Sequence, residues 1–404
     1  MAEIASNTST SNRRGALATA TRLVGRLVRR LVRLHGAPLG LSFDTVQRIL
    51  FIRLDHIGDV VMTLPALQAL RTRYPRARID VLVRPGVAPL LRGYPGIDNL
   101  HVYDTPRFPE NGRGAGLFRT LSLIRRLRRV RYDLAIELRG DDIGRILAYC
   151  SGAPLRLGPD RVFYEANAEA NCSFLLSHPQ SIADEPRHAV LNNLTTLVPL
   201  GVEEPNPKLW LPVAEAEQTA VARKLEDMGV GNRFAIVHAH SNDAARDWTV
   251  AEFAEVIDAL KGEYGFTVLL SGSGRDREYN GKIVERIREN RARGGTLVLD
   301  TSDQIEGLID ISGKFVLAEL PALFERASLL VTVDTGPMHI AAAVGAPIVA
   351  LFQARLAPRH HPFGQADGVV MSDEAVASIA TESVLNAVAN RLACRTPEKT
   401  SEQE

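Results

Sequence analysis

The chain has 404 residues, which is too long for one ordinary hydrophobic core and suits two domains. Its composition, 45% hydrophobic and 24% charged with a formal net charge of +1, excludes wholesale disorder and gives no global indication of nucleic-acid binding. Its 3 cysteines are far apart and lack metal-ligand spacing, which favours free thiols in a reducing compartment.

Residues 1–45 are predicted to form an arm, of which residues 1–12 are expected to be disordered. Between residues 13 and 34, arginines alternate with apolar residues at near-helical spacing and no acidic residue occurs. This pattern favours a basic amphipathic helix lying on an anionic membrane, and a solvated helix that packs on its own protein is the alternative. No apolar run approaches the ~18 residues of a membrane span, and no secretory signal is recognisable. We therefore expect a cytoplasmic protein, with possible peripheral contact to the inner membrane through residues 13–34.

Residues 46–205 are predicted to be the first α/β domain. A buried strand at 46–53 precedes a turn at 54–59 and a helix from Leu64 that Pro75 stops. A strand at 79–83, a helix at 117–130 and a strand at 134–138 continue the alternation. Alternating strands and helices with short loops predict a parallel sheet covered on both faces.

Residues 206–404 are predicted to be a second α/β domain, after a stretch between 158 and 212 where the pattern weakens. Its predicted strands are at 234–238, 267–271, 297–299, 329–333 and 347–352, the last of which ends the sheet. Its predicted helices are at 253–260, 317–327 and 381–392. Two such domains predict a cleft between two lobes, with ligands beyond the carboxyl ends of the strands.

The segment 333–339 carries the strongest indication of a ligand site. A buried strand ends in Asp334, Thr335 and Gly336, and Pro337 stands where a helix is expected to begin. The start of a helix attracts a phosphate. Thr335 can add a hydroxyl donor, and Gly336 allows the ligand to approach the backbone closely. Asp334 is then predicted to accept hydrogen bonds from sugar hydroxyls. The alternative is that Asp334 or Thr335 only caps the helix.

Asp59 lies in the turn between the first strand and its helix, a usual support for a catalytic carboxylate. Transfer of a sugar to a hydroxyl with inversion needs one base to remove the acceptor proton, and a lone aspartate at a cleft, such as Asp59, fits that role. A helix cap is the alternative for Asp59. Asp55 and His56 are further candidates for the base, or they only fill the turn.

Two loops of the second domain add polar groups. Arg246, which follows Ser241 in the first loop, is predicted to clamp a diphosphate. Zinc binding at the neighbouring histidines is disfavoured, since no cysteine or third histidine is near. The second loop is a glycine-rich turn at Gly272, and Asp276 behind it is predicted to bind ribose hydroxyls. This turn lacks the full dinucleotide-binding fingerprint.

Together these segments resemble glycosyltransferase family 9, the heptosyltransferases of lipopolysaccharide core synthesis. The likeness runs from about residue 49 to 392 and is strongest at 49–70, 133–140 and 334–343. It implies a GT-B fold with an acceptor-binding N-terminal domain, a donor-binding C-terminal domain and a final helix that crosses back. It also implies an inverting mechanism with no cofactor and no obligatory metal.

Carried over to this chain, the resemblance implies that Asp59 is the general base. The implied donor-binding residues are Ser241, Arg246, Gly272, Asp276, Asp334, Thr335, Gly336 and His339. The acceptor-side candidates are Arg53, Asp55, His56 and Arg139. The chain departs from the family at His240, which replaces a glycine, at Arg246, which replaces a lysine, and at Gln353. These differences fit an altered donor or acceptor, since both aspartates remain.

We therefore expect an inverting glycosyltransferase that moves a heptose-like sugar, with ADP-heptose as the expected donor, to a lipopolysaccharide-type or other glycan acceptor. A sugar-nucleotide epimerase or hydrolase is an alternative with similar domains. A non-catalytic sugar-nucleotide-binding protein is the other. No nucleic-acid partner is expected.

Overall fold

The structure is a computed structural model that describes residues 42–106, 114–161, 172–181, 187–241, 243–293 and 305–393. The chain divides into two compact units: residues 1–55, 67–184 and 192–204 belong to the first, and residues 56–66, 185–191 and 205–404 to the second. Two short segments that we predicted for the N-terminal domain, 56–66 and 185–191, thus group with the second unit. The predicted arm helix at 13–34 and the predicted strand at 297–299 lie outside the described residues.

The strands of the described chain are numbered here in order. They are β1 (Arg48–Arg53), β2 (Arg78–Val83), β3 (Asn99–Val102), β4 (Leu134–Glu137), β5 (Leu155–Pro159), β6 (His178–Gln180), β7 (Phe234–His238), β8 (Thr267–Leu270), β9 (Leu308–Asp310), β10 (Leu329–Val333), β11 (Ile348–Gln353) and β12 (Val369–Ser372).

The α-helices of the same ranges are numbered likewise. They are α1 (Ile57–Val61), α2 (Leu64–Arg73), α3 (Ala88–Leu91), α4 (Leu117–Val130), α5 (Asp142–Cys150), α6 (Ala189–Leu197), α7 (Glu215–Asp227), α8 (Val250–Gly262), α9 (Arg277–Arg293), α10 (Leu320–Arg326), α11 (Gly336–Ala343), α12 (Ala357–His360) and α13 (Thr381–Ala393). No helix within the described ranges is long and apolar enough to cross a membrane.

Each unit contains one parallel sheet, and both sheets have the same strand order. The first unit's sheet runs β3-β2-β1-β4-β5-β6 and the second unit's runs β12-β11-β10-β7-β8-β9 across the described residues. Counted from the first strand of each unit, both orders read 3-2-1-4-5-6, the order of the doubly wound dinucleotide-binding fold. In such sheets ligands bind at the carboxyl ends of the strands where the order reverses. These places are the β1/β4 and β7/β10 edges.

The register of the central strands decides which residues meet at these edges. In the first unit Ile52 of β1 pairs with Glu137 of β4. In the second unit His238 of β7 pairs with Thr332 of β10. Both β7 and β10 are buried along their whole length, as expected for parallel strands covered on two faces. The segments that follow these strands therefore start side by side.

Two sequence expectations need correction. The strand at 347–352 does not end the second sheet, because the short, partly exposed β12 pairs outside it. The predicted helix at 317–327 is a 3-10 turn (Leu317–Glu319) followed by α10, which begins at a proline-containing turn. The stretch between 158 and 212, where the sequence pattern weakens, holds β6 and α6. Those elements are short and lack a clear apolar period.

The final helix α13 packs on α8, β11 and β12 of its own unit. Trp248, at the end of the loop after β7, donates a hydrogen bond from Nε1 to the carbonyl of Ile379 at 2.9 Å, just ahead of α13. This contact fixes the loop to the segment that precedes α13. The return of the final helix to the N-terminal domain stays a prediction.

Candidate active site

The end of β10 presents Asp334, whose side chain is buried. Arg246 donates from Nη1 to Oδ2 of Asp334 at 3.0 Å. Burial raises the pKa of Asp334 to about 6, Arg246 opposes that rise, and the nearby Asp243 adds to it. At neutral pH the carboxylate is therefore ionised, half satisfied by one guanidinium, and able to accept further hydrogen bonds.

Helix α11 begins two residues after Asp334. Thr335 occupies the position before its first turn with an extended backbone, and its side chain makes no capping hydrogen bond. The Oγ1 atom of Thr335 lies 3.4 Å from Oγ1 of Thr332 instead. Asp334 is likewise engaged by Arg246 rather than by the helix. Among the described residues, no side chain was found to cap this helix start, so the capping interpretation of the segment 333–339 is disfavoured.

Helix α1, which carries Asp59 in its first turn, packs against α11 within the second unit. The two helices meet at glycines. A Cβ atom on Gly58 would lie 2.6 Å from Cδ2 of His339, and one on Gly336 would lie 3.2 Å from Cβ of Ile57. Neither position accommodates a larger side chain without displacement. The predicted base and the predicted donor segment are thus brought into one unit, although the sequence placed them in different domains.

His339 lies at the centre of this helix contact. Its ring is buried, and its Nδ1 atom has no hydrogen-bond partner among the described residues. Burial lowers the pKa of His339 well below 6.5, and the charges of His360, His188 and His361 add to the effect. The imidazole is therefore neutral.

The loop after β7 is held by an aspartate that the sequence analysis did not select. Asp247 accepts from the backbone N–H of Ser241 at 2.8 Å and bonds Nδ1 of His240 at 2.7 Å. The His240 ring stacks on Tyr279, with centroids 4.8 Å apart. A 3-10 turn (Ala244–Arg246) then directs Arg246 to Asp334. The only sequence signal for Asp247 was its position beside Arg246.

The two strands β7 and β8 are joined by a buried pair. Nδ1 of His238 lies 2.8 Å from the Oγ atom of Ser271, and burial lowers the pKa of His238 to about 4. In the turn that follows, Asp276 accepts from the backbone N–H of Ser273 at 2.6 Å. A Cβ atom on Gly272 would lie 2.7 Å from Cβ of Asp276, so the turn requires glycine there.

The ends of β1 and β4 in the first unit hold a buried ionic network. Arg139 pairs with Asp55 and, at 3.1 Å, with Asp141. Arg53 donates to the carbonyl of Leu138 at 2.7 Å and lies 3.5 Å from Asp55. Of the four acceptor-side candidates, these three therefore have buried side chains, while His56 is exposed and groups with the second unit. Their role toward an acceptor stays a prediction.

Glu137 is a second residue that sequence reasoning missed. It is buried, and its two oxygens accept from the backbone N–H groups of Arg139 at 2.9 Å and Gly140 at 2.8 Å. Burial and the neighbouring Asp141 raise the pKa of Glu137 to about 8, against the opposing effects of Arg145 and the two N–H donors. The carboxyl group of Glu137 thus holds the turn after β4. The sequence did not predict this role, because Glu137 stands at the end of an otherwise apolar strand.

The family model of glycosyltransferase family 9 (heptosyltransferase) matches residues 120–387. The chain belongs to glycosyltransferase family 9. It is 30% identical over 302 residues to lipopolysaccharide heptosyltransferase 3 of Escherichia coli K12, covering 74% of this chain and 80% of that protein. This family 9 chain is therefore a glycosyltransferase, and that expectation is confirmed.

The fold of the chain is also similar to solved structures of family 9 proteins. A family 9 glycosyltransferase from Veillonella parvula matches with a TM-score of 0.71 at 23% identity, over 87% of this chain and 99% of that one. The E. coli ADP-heptose lps heptosyltransferase II matches with a TM-score of 0.66 at 20% identity, over 86% and 99%. With the two parallel six-stranded sheets of the described residues, the predicted GT-B fold is confirmed.

Proposed function

We propose that this family 9 glycosyltransferase moves a heptose or a closely related sugar from an ADP-sugar to a lipopolysaccharide-type acceptor, with inversion at the anomeric carbon. The E. coli relative at 30% identity is a lipopolysaccharide heptosyltransferase, and a structural neighbour is an ADP-heptose enzyme. The observation that carries the proposal is the Asp334–Arg246 pair at the start of α11, the helix on which the Asp59-bearing α1 packs.

The donor is proposed to bind at the carboxyl ends of β7 and β10. The Asp334 carboxylate accepts hydrogen bonds from sugar hydroxyls, which suits an ionised group. The amide groups at the start of α11 and the Thr335 hydroxyl hold the diphosphate. Arg246 supplies a positive charge between the Asp334 carboxylate and the diphosphate. Ser241, Gly272, Asp276 and His339 complete the donor site.

Asp59 is proposed to remove the proton of the acceptor hydroxyl while the oxygen of that hydroxyl attacks the anomeric carbon. The bond between that carbon and the diphosphate oxygen breaks on the opposite face, and the electron pair leaves with ADP. Arg246 and the α11 amides stabilise the charge that develops on the departing diphosphate, which is the largest electrostatic change of the reaction. The products are the glycosylated acceptor, protonated Asp59 and ADP.

No metal and no cofactor enter this scheme, because Arg246 and a helix start supply the positive charge that a metal supplies elsewhere. We propose accordingly that activity is unchanged by EDTA. Residual activity that a divalent cation restores would contradict this part of the proposal. Arg53, Asp55, His56 and Arg139 are proposed for the acceptor side, and the first two hold the ends of β1 and β4 together with Arg139.

The enzyme is proposed to act in the cytoplasm, with the basic segment 13–34 in peripheral contact with the inner membrane. Deletion of residues 1–40 tests the second point, since unchanged membrane co-sedimentation would contradict it.

The test of the function uses purified protein, heptose-deficient lipopolysaccharide and a panel of ADP-, GDP-, UDP- and dTDP-sugars. Mass spectrometry of the acceptor identifies the sugar transferred. We expect a mass increase of one heptose with the ADP-sugar, and ADP release only when acceptor is present. ADP release without acceptor indicates a hydrolase, and donor binding without any product indicates a non-catalytic binding protein.

A further inference from the structure

Helix α4 carries large apolar side chains on its solvent side. Leu117 and Phe118 are 70% and 87% exposed, and Leu121, one turn on, is 37% exposed. We call these three residues the apolar tip. Single exposed apolar residues are ordinary, but a cluster of them at one helix end marks an interaction surface.

The helix itself is firmly seated, so the tip is not a misplaced core face. Leu123 and Leu127 of α4 are buried in the core of the first unit, together with Leu50 and Ile52 of β1. A rotation of about 100° per residue places the tip on the opposite side of the helix from these two leucines. The exposed face of α4 therefore takes no part in the contact between the helix and the core of the first unit.

The rest of the exposed face is basic. Arg119, Arg125, Arg126, Arg128 and Arg129 are exposed, and no acidic residue occurs between residues 114 and 132. Arg125, Arg126 and Arg129 form no ion pair within the part of the chain that the structure describes. The negative end of the helix dipole accounts for arginines in the last turn, but not for those earlier in the helix.

We propose that the exposed face of α4 docks on an anionic lipid bilayer. The apolar tip enters the boundary between headgroups and acyl chains, and the arginines behind it contact lipid phosphates. Exposed aromatic and aliphatic residues combined with a wholly basic face are the features of interfacial helices. A nucleic acid would match the arginines but would leave Phe118 and Leu117 in water. The inference depends on exposure and charge alone, and not on the donor or the sugar.

The experiment compares full-length proteins in co-sedimentation with vesicles of phosphatidylcholine alone and of phosphatidylcholine with phosphatidylglycerol. The test variant is Leu117→Gln/Phe118→Gln, which keeps helix propensity and removes the tip. The control is Val316→Gln, which removes a 62% exposed valine from the second unit. We expect binding to the anionic vesicles, a loss of about tenfold or more in the double variant, and no change in the control. Thermal denaturation checks that both variants are folded.

A direct readout of insertion comes from Phe118→Trp. Its fluorescence is expected to shift to shorter wavelength with anionic vesicles and to be quenched by brominated lipid. The Arg125→Gln/Arg126→Gln/Arg129→Gln variant is expected to lose the preference for anionic lipid and most of the salt dependence of binding. Wild-type protein that ignores the vesicles, or a double variant that binds as wild type does, overturns the proposal. In the latter case another segment carries any membrane contact.

Failure here and failure of the proposed function are separable. The double variant is expected to keep its rate of sugar transfer to an acceptor freed of its acyl chains, since none of the proposed donor-binding or catalytic residues lies on α4. Loss of vesicle binding with that rate intact supports the docking surface. A protein with no transferase activity that still binds vesicles refutes only the function.

Discussion

Arg246 donates a hydrogen bond from Nη1 to Oδ2 of Asp334 at 3.0 Å, joining the loop after β7 to the end of β10. The two strands are neighbours at the place where the strand order of the second sheet reverses. The cation proposed for the diphosphate and the carboxylate proposed for the sugar hydroxyls therefore lie together at the edge where such sheets bind their ligands.

The first prediction concerns this pair. Arg246→Ala is expected to weaken the binding of an ADP-sugar roughly tenfold to a hundredfold, because hydrogen bonds to charged groups contribute about 1.5–3 kcal/mol. The affinity of Arg246→Lys should lie between those of the wild type and Arg246→Ala, since lysine keeps the positive charge but loses the paired N–H donors of the guanidinium group. Isothermal titration calorimetry measures the affinities. Arg326→Ala, at an exposed arginine that ends α10, is the matched control and should bind as wild type does.

The second prediction is a pH dependence of donor affinity. The pKa of Asp334 is raised to about 6 by burial, so the carboxylate becomes protonated as pH falls below that value and stops accepting sugar hydroxyls. Affinity for an ADP-sugar should then fall from pH 7 toward about pH 5 in the wild type and stay low and flat in Asp334→Asn. An ADP-sugar is used because free ADP titrates in this range. Parallel pH profiles of the two proteins would argue against this role.

The same shift predicts a stability effect of opposite sign in the unliganded protein. An acid whose pKa is higher in the folded than in the unfolded state stabilises the fold at low pH, and loses that contribution as pH rises from about 4 through about 6. Asp334→Asn lacks the charge, so it should denature at a higher temperature than the wild type at pH 8 and at a similar one near pH 4. Calorimetric melting at both pH values is the measurement.

The third prediction concerns the contact between α1 and α11. Gly58→Ala places a Cβ atom 2.6 Å from Cδ2 of the buried His339 ring, so the ring or the helices must shift. We expect a loss of about 1–3 kcal/mol in stability and a larger proportional loss in transfer rate, because Asp59 adjoins the displaced residue. Gly262→Ala, at the end of α8, meets nothing within 4 Å and should be neutral or slightly stabilising. Equal rates in the two variants would contradict the contact's role.

Much of the fold follows from the sequence because its central strands are continuous apolar runs. Strands β7 and β10 begin and end where the pattern predicts, and so does α4. The peripheral strands β6, β9 and β12 do not, since strands of three or four residues, partly exposed, carry little period. Strands at the edge of a sheet are specified by their pairing with the neighbouring strand. A local sequence pattern does not indicate that pairing.

The candidate site divides in the same way. Asp334 and Asp59 were predicted from their places after buried strands and from the resemblance to family 9, and their roles stay predictions. Asp247 and Glu137 were not found, because their role is to hold backbone N–H groups of distant or adjacent turns. The grouping of residues 56–66 with the second unit was also beyond sequence reasoning, because it depends on the packing of α1 against α11, where Gly58 of one helix and Gly336 of the other lie at the contact.

The most direct test of the account is the rate of sugar transfer by Asp59→Asn, with donor affinity measured on the same preparation. A general base contributes about a hundredfold to ten-thousandfold, so the rate should fall by that order while ADP-sugar affinity stays within about twofold of the wild type. A variant that transfers sugar at the wild-type rate would contradict the assignment of Asp59 as the base.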